Sequence, residues 1–528
     1  MSAVRREVLA SSLDPFTTAL RTGVGAATTH LPALPRDAEG FARAADAARR
    51  EVAPPPGPLV EALVAYQREH GLGTKAEANA KALGGGALAV VTGQQPGLFG
   101  GPLLTLHKAV GAIALARRIE ESGGGRVVPV FWVASEDHDF AEANRAAVID
   151  ASGAIHALSL DVVADLRSVR DVPLSPDAMR AVVASLASAL PPTERAAAAV
   201  ALATPARPTD MGAWFATCLG RLLGDTGLVV VEPHVVAPWA GPVFARLVRD
   251  AEKIGEAVRV AGDRLRADGL AAPLAPPPGS APMFLRDAVG GRRLRVSLDG
   301  DAVRLRGEPS PLDRAALEAK VLASPHLASG DVVGRVFVQN ATLPVLAYVG
   351  GPTELAYLAQ VRAAHAVVAA RFPLAAPRPQ ATWVEPKVLK AVEAFGLTVA
   401  DVLAGKTPTA GARAPDDRAA QALRETRRQI AESAEGLKDA PTAARALRES
   451  LESIDGALHE MEKEREDKAG RGAARWDKAL ASLRPGGHPQ ERALSPLSLV
   501  ARYGVDALRE GLSLLDPLAP GHQILFLP

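Results

Sequence analysis

Cysteine is almost missing from this chain: Cys218 is the single thiol in 528 residues. An intramolecular disulfide is thereby excluded, and so is a metal cage built on thiolates. Cys218 sits in the apolar run WFATCLG, where a free thiol is expected to act as a small buried hydrophobe. Net charge is nearly absent too. The 60 Lys and Arg against 59 Asp and Glu leave a formal +1, with no overall pull toward nucleic acid or an anionic membrane. No uninterrupted apolar stretch reaches membrane-spanning length, and the opening MSAVRREVL lacks the apolar core of a signal peptide. A cytoplasmic protein with neither nucleic-acid nor membrane partners is expected.

What is present is a soluble globular composition, 48% hydrophobic and 23% charged, in a chain long enough for two or three structural units. Residues 87–92 (ALAVVT) read as a buried strand. A helix follows over Leu103–Glu121, stopped by three glycines, and 127–134 (VVPVFWVA) form a second buried strand. Strand, loop, helix, strand is the βαβ pattern of a parallel sheet. The pattern recurs with a helix at Met211–Leu223, a strand at 227–232 (GLVVVE) and one long amphipathic helix over 238–268. A proline-rich stretch then leads to 292–306, which alternates around Asp299-Gly300 as a hairpin, so a small antiparallel insert is expected near 282–307. Residues 344–351 return to strand, with a helix from Thr353. The expected fold is α/β, a parallel-sheet core with inserted segments over 1–410. A helical segment at 411–480 and a tail at 481–528 that rejoins the core complete it.

The helical segment is highly charged. Leu423, Ile430 and Leu437 stand seven apart, and Leu447, Leu451, Ile454, Leu458 and Met461 alternate by four and three, the seam of a coiled coil. An antiparallel hairpin is expected. So narrow an apolar stripe calls for a partner, either a second copy in a homodimer or the other helix of the pair.

In an open parallel sheet, ligands bind at the carboxyl ends of the strands, and three polar clusters fall there. The first is Thr92-Gly93-Gln94-Gln95-Pro96-Gly97, with His107 and Lys108 on the following helix. Its glycines let backbone approach a ligand, and the free amides at a helix start favour an anion. The loop is neither a Walker loop nor the dinucleotide fingerprint. The second is Ser135-Glu136-Asp137-His138-Asp139, with Glu142 and Asn144 close behind. Carboxylates flanking an imidazole suit general acid–base work, or Mg²⁺ in a nucleotide site. No resident metal is expected, because the run lacks a helical His pair. The third is Gly350-Gly351-Pro352-Thr353-Glu354 with Tyr357 one turn on, which repeats the first cluster's design.

Together these stretches resemble one family, the bacillithiol biosynthesis cysteine-adding enzyme. The residues that carry the resemblance are VVTGQQPGLFGGPLLTLHK, VPVFWVASEDHDFAEANRA and LPVLAYVGGPTELAYLAQ, joined in the tail by PGGHPQER, ARYG and DPLAPGHQ. It runs from about residue 87 onward and is weakest over 151–205 and in the helical hairpin. Asn340 stands where relatives usually carry Asp, and Pro379-Gln380 where they carry a serine pair. The resemblance implies a Rossmann-like core with inserted connecting segments, a coiled coil that dimerises, and a ligase joining L-cysteine to glucosaminyl-malate.

Such a reaction needs an activated carboxyl group, hence ATP with ADP as one product to be expected, with or without Mg. His107 and Lys108 would stabilise the anion that develops on activation. Asp137 or His138 would deprotonate the sugar amine, while Glu354, Arg335 and Gln339 orient the substrates. Gly487, Gln490, Arg492, Arg502 and Tyr503 offer a candidate second nucleotide site. A nucleotide-sugar glycosyltransferase and a non-catalytic dimeric scaffold are the alternatives. All the strand-end clusters are expected to line one cleft.

Overall fold

Five short strands, buried along nearly their whole length, set the architecture. Except for residues 1–2, 10–13, 151, 288–290, 307, 369, 409–417 and 437–440, the computed structural model describes the whole chain. The five strands are β1 (Leu88–Gln94), β2 (Val127–Val133), β3 (Val229–Val231), β4 (Val345–Gly350) and β5 (Leu374–Pro377). They lie side by side in the order β5-β4-β1-β2-β3, and every pairing is parallel. Continuous apolar runs such as VVPVFWV have no polar face to show, because helices cover both sides of the sheet.

Chain order runs outward from β1 to β3 on one side and then from β4 to β5 on the other. The direction therefore reverses between β1 and β4, and a crevice opens there at the carboxyl ends of the strands. Two helices begin at that crevice: α1 (Leu103–Glu121) after β1 and α2 (Pro352–Val367) after β4. α1 has the bounds its periodicity predicts, and its C-terminal stop at Gly123 uses a positive φ of 81°.

Two expectations are corrected. The single helix read over 238–268 is two, Gly241–Arg249 and Ala251–Ala267, because Asp250 leaves helical dihedrals (φ −103°, ψ 15°). The insert is larger than one hairpin. Its strands Arg293–Asp299 and Ala302–Leu305 turn at Asp299-Gly300 as expected. They sit within a five-stranded antiparallel sheet with Ser280–Arg286, Glu308–Asp313 and Ala328–Gly330.

The chain divides into two compact units. The first comprises Met1–Ala151, Ile155–Trp383 and His488–Pro528; the second comprises Ser152–Ala154 and Val384–Gly487. The second unit starts well before residue 411, the beginning read from the charge run. Helix Pro386–Ala394 packs on the long helix Pro441–Leu483, and the Phe395 and Trp476 rings meet edge-on at 5.5 Å. With Arg418–Gly436, that long helix makes the helical pair, pinned by Arg427 to Asp455 at 2.6 Å. Leu437 lies outside the described residues. In the first unit, strand His522–Phe526 pairs antiparallel with Arg5–Leu9, so the tail is part of the core. Among the described residues, no helix is long and apolar enough to cross a membrane.

Candidate active site

A cavity of about 590 Å³ occupies the crevice between the ends of β1 and β4, within the range of small-molecule sites. Gln94, Gln95, Pro96 and Gly97 form one wall, Gly351, Thr353, Glu354 and Tyr357 another, and Asp137 reaches in from the loop after β2. Lys108, Arg145, Arg335, Arg378 and Arg492 also line it, facing three carboxylates, Asp137, Glu142 and Glu354. The lining thus favours anionic ligands.

Lys108 ties the two central loops together. Its Nζ donates to Gly93 O at 2.8 Å and Gln94 Oε1 at 2.7 Å, and lies 2.6 Å from Glu354 Oε2. All three ammonium hydrogens are committed. Glu354 in turn accepts the Gly351 amide at 2.8 Å and the Tyr348 hydroxyl at 3.0 Å. Burial opposes ionisation of Glu354, yet Lys108 and the Gly351 amide hold its carboxyl below the usual range. Gly93 is required by crowding: a Cβ there would lie 2.8 Å from Trp132 O. Thr92 and Gly350 sit behind the wall, Thr92 with its hydroxyl on Val349 O at 2.8 Å.

His107 faces the other way. It is fully buried, with Nδ1 2.9 Å from Glu491 Oε2 and Nε2 accepting from Trp383 Nε1 at 3.2 Å. Burial lowers its pKa despite Glu491, so the ring is neutral, donates through Nδ1 and has no free edge for a ligand. Glu491 also takes a two-pronged bond from Arg378, at 2.5 and 2.9 Å, and the Ala381 amide at 3.2 Å. Burial works against that carboxylate, but Arg378 and His107 hold it well below the carboxylate range. Arg378 is thus anchored from behind while it lines the cavity.

In the acidic loop, Asp137 faces the cavity. Its Oδ1 accepts the His138 and Asp139 amides at 2.7 and 3.3 Å and lies 3.7 Å from Arg293 Nη1. Burial would raise its pKa, but Arg293, Gln95 and the two amides lower it. His138 instead meets the insert: its Nδ1 is 3.1 Å from Arg293 Nη1 and its ring 5.6 Å from Phe284. Burial and Arg293 depress its pKa. Glu136 is pushed up to about 7 by burial, with Arg293 and Arg335 pulling the other way. Asp139 caps a short helix by accepting the Glu142 amide, and Asn144 donates to Leu160 O. Ser135 anchors the loop from below, its Oγ 2.6 Å from Glu232 Oε2. Glu232 is fully buried, also accepts the Tyr66 hydroxyl at 2.7 Å, and is pushed up to about 7 by burial and Asp210.

Of the remaining expected residues, Arg335 lines the cavity with Nη2 on the Tyr357 hydroxyl at 3.2 Å, whereas Gln339 is buried away from it. Asn340 donates to His365 Nε2 at 3.0 Å, an internal contact. The residues of the candidate second nucleotide site are placed as follows. Gln490 is locked to the Trp383 backbone on both amide atoms, and Arg502 donates to Ile149 O. Arg492 belongs to the main cavity, and Gly487 falls in the other unit. Tyr503 is half-buried. Sequence reasoning missed Arg378, Glu491, Arg145, Arg293 and Glu232. Arg378, Glu491, Arg293 and Glu232 gain meaning only from partners far along the chain, and Arg145 only from the cavity it lines.

The polypeptide matches two family descriptions. Residues 32–379 match the N-terminal Rossmann-like domain of bacillithiol biosynthesis BshC, and residues 381–527 match its C-terminal coiled-coil domain. Relatives named "Putative cysteine ligase BshC" include the following. The protein of Symbiobacterium thermophilum is 31% identical over 513 residues, 89% of each chain. That of Solibacter usitatus is 32% identical over 440 residues, 80% of this chain and 81% of its own. That of Heliobacterium modesticaldum is 34% identical over 327 residues, 60% of this chain and 59% of its own. With both domains matched in order and strand-end loops converging on one cavity, the chain belongs to the bacillithiol biosynthesis BshC family.

Proposed function

We propose that the protein is a ligase that joins the carboxyl group of L-cysteine to the amine of glucosaminyl-malate, forming an amide at the expense of a nucleoside triphosphate. The observation that carries the reading is the cavity itself. Loops from three strands deliver carboxylates and an excess of cationic side chains to one space large enough for a small-molecule pair. Anionic groups are what this reaction brings there: the cysteine carboxylate, the two malate carboxylates and the phosphates. Arg145 and Arg492 make no ion pair or side-chain hydrogen bond among the described residues, and they suit such anions. ATP would supply the activated carboxyl group, with its phosphates beside these guanidiniums. Among the described residues no three His, Cys, Asp or Glu side chains are grouped to hold a metal, so any Mg would arrive with the nucleotide.

Roles follow from the charge states. Lys108 orients the two loops, because its donors are spent on them. His107 is a positioning residue for Glu491 and Arg378. Asp137, held ionised, is a weak base. Glu142 is better suited to take the proton of the sugar amine, since burial and the nearby Asp139 and Asp137 raise its pKa and it lines the cavity. We assign the reaction to the cytoplasm, where the nucleotide is available, and the working form to a homodimer joined by the helical pair.

Mass spectrometry tests the reading directly. Purified protein with ATP, L-cysteine and glucosaminyl-malate is expected to yield the amide, the two substrates joined with loss of water, and only when all three are present. Absence of that product under these conditions, or its formation without nucleotide, contradicts the reading.

A further inference from the structure

Gln95 holds one atom that no group among the described residues satisfies. Its Oε1 is buried and meets no donor among the described residues, while its side chain favours the ionised form of the Asp137 carboxylate beside it. Turned toward Asp137, an acceptor-only carboxylate, the group presents its NH2 there and leaves Oε1 over. Buried acceptors without a donor are rare in native structures, and one on a ligand cavity points to a donor that arrives with the ligand. Gln95 and Asp137 both line the cavity. Asp137 already carries two backbone amides on Oδ1 and has Arg293 3.7 Å away, an environment that keeps it an anion. A fixed negative charge therefore adjoins a vacant acceptor, the complement of a group with positive charge and several N–H bonds.

We propose that the Asp137 carboxylate and Gln95 Oε1 seat a primary ammonium group, and that it is the α-ammonium of the amino-acid substrate. The assignment rests on the ligase reading above. Its chemistry separates the two amines that meet in the site. An amine beside an ionised carboxylate is held as –NH3⁺ and has no lone pair to attack with. The sugar nitrogen must lose a proton and form the C–N bond while the bond from the carbonyl carbon to the phosphate oxygen breaks. The amino acid's own nitrogen must be kept from doing the same, since it would give a dipeptide. Seating it as ammonium makes that choice.

Calorimetric titration of the full chain, with and without ATP, tests the seat. L-cysteine is compared with 3-mercaptopropionate, which keeps thiol and carboxylate but lacks the ammonium, and glucosaminyl-malate with its N-acetyl form. The unmutated protein is expected to bind L-cysteine at least about tenfold more tightly than 3-mercaptopropionate. Gln95→Met and Asp137→Asn should each erase most of that preference and leave 3-mercaptopropionate binding unchanged. The preference between the two sugar ligands should be the same in all three proteins. Equal binding of L-cysteine and 3-mercaptopropionate by the unmutated protein would overturn the proposal, as would no binding of L-cysteine at millimolar concentration. Loss of the sugar preference in the variants would assign the seat to the sugar amine and overturn it as well. Product formation is scored separately. Ammonium discrimination without product would keep the seat and remove the ligase reading, and product without discrimination would do the reverse.

Discussion

Neighbours on a helix point about 100° apart, and that rotation separates His107 from Lys108. Lys108 meets the cavity, while His107 enters the core and is spent on Glu491 and Trp383. His107→Ala should therefore act first on stability. It leaves the Trp383 indole N–H and one Glu491 contact without a partner and opens a small cavity, a loss of about 2–4 kcal/mol by urea unfolding. An unchanged unfolding midpoint together with lost turnover would restore His107 to the chemistry. Glu232 gives a prediction of opposite sign. Its folded carboxyl, at about 7 against an ordinary 4.5, binds a proton more tightly than in the unfolded chain. Its contribution is most favourable below pH 4.5 and is lost as pH rises through 7. Glu232→Gln, which keeps a Tyr66 bond, should flatten the fall in stability between pH 5 and 7.5, a change of at most about 3 kcal/mol. Parallel pH profiles for the two proteins would contradict it.

Elements with one dominant cause were legible beforehand, and elements shaped by distant partners were not. VVPVFWV could only be a strand buried on both faces, and Leu103–Glu121 shows its bounds in its own periodicity. The break at Asp250 left no trace in the pattern, because both halves are amphipathic and only their separate partners divide them. At the site, the glycine loops and Asp137 were readable from their place after apolar runs. Arg378 and Glu491 were not, since 113 positions separate two side chains that make sense only together. The helical pair tests the same kind of reading. Leu447, Leu451, Ile454, Leu458 and Met461 form the expected stripe, and all five are only half-buried in the single chain. Replacing Leu451 and Leu458 by Glu should convert a dimer to monomers by sedimentation, with catalytic-core unfolding unaffected. A monomeric unmutated protein at micromolar concentration would end that assignment.

At the scale of the molecule, residues far apart in the chain complete one another. The core's buried ion pair needs Glu491, and the cavity wall takes Arg492, Ala493 and Ser495 from the same late segment. A chain stopped after Gly487 would bury Arg378 without its carboxylate, a loss on the order of 3–5 kcal/mol for a broken buried pair, besides removing a strand. Such a protein should show no cooperative unfolding transition, and a sigmoidal curve with the full-length midpoint would refute this. The same separation has a consequence in time. His107 and Glu491 are 384 positions apart, so at about 5–20 residues per second the imidazole leaves the ribosome tens of seconds before its carboxylate. Over the last 113 positions of that interval the nascent sheet carries an unmatched Arg378 and an open wall, the state in which a chaperone would find it. Synthesis must pass residue 491 before this enzyme has a site at all.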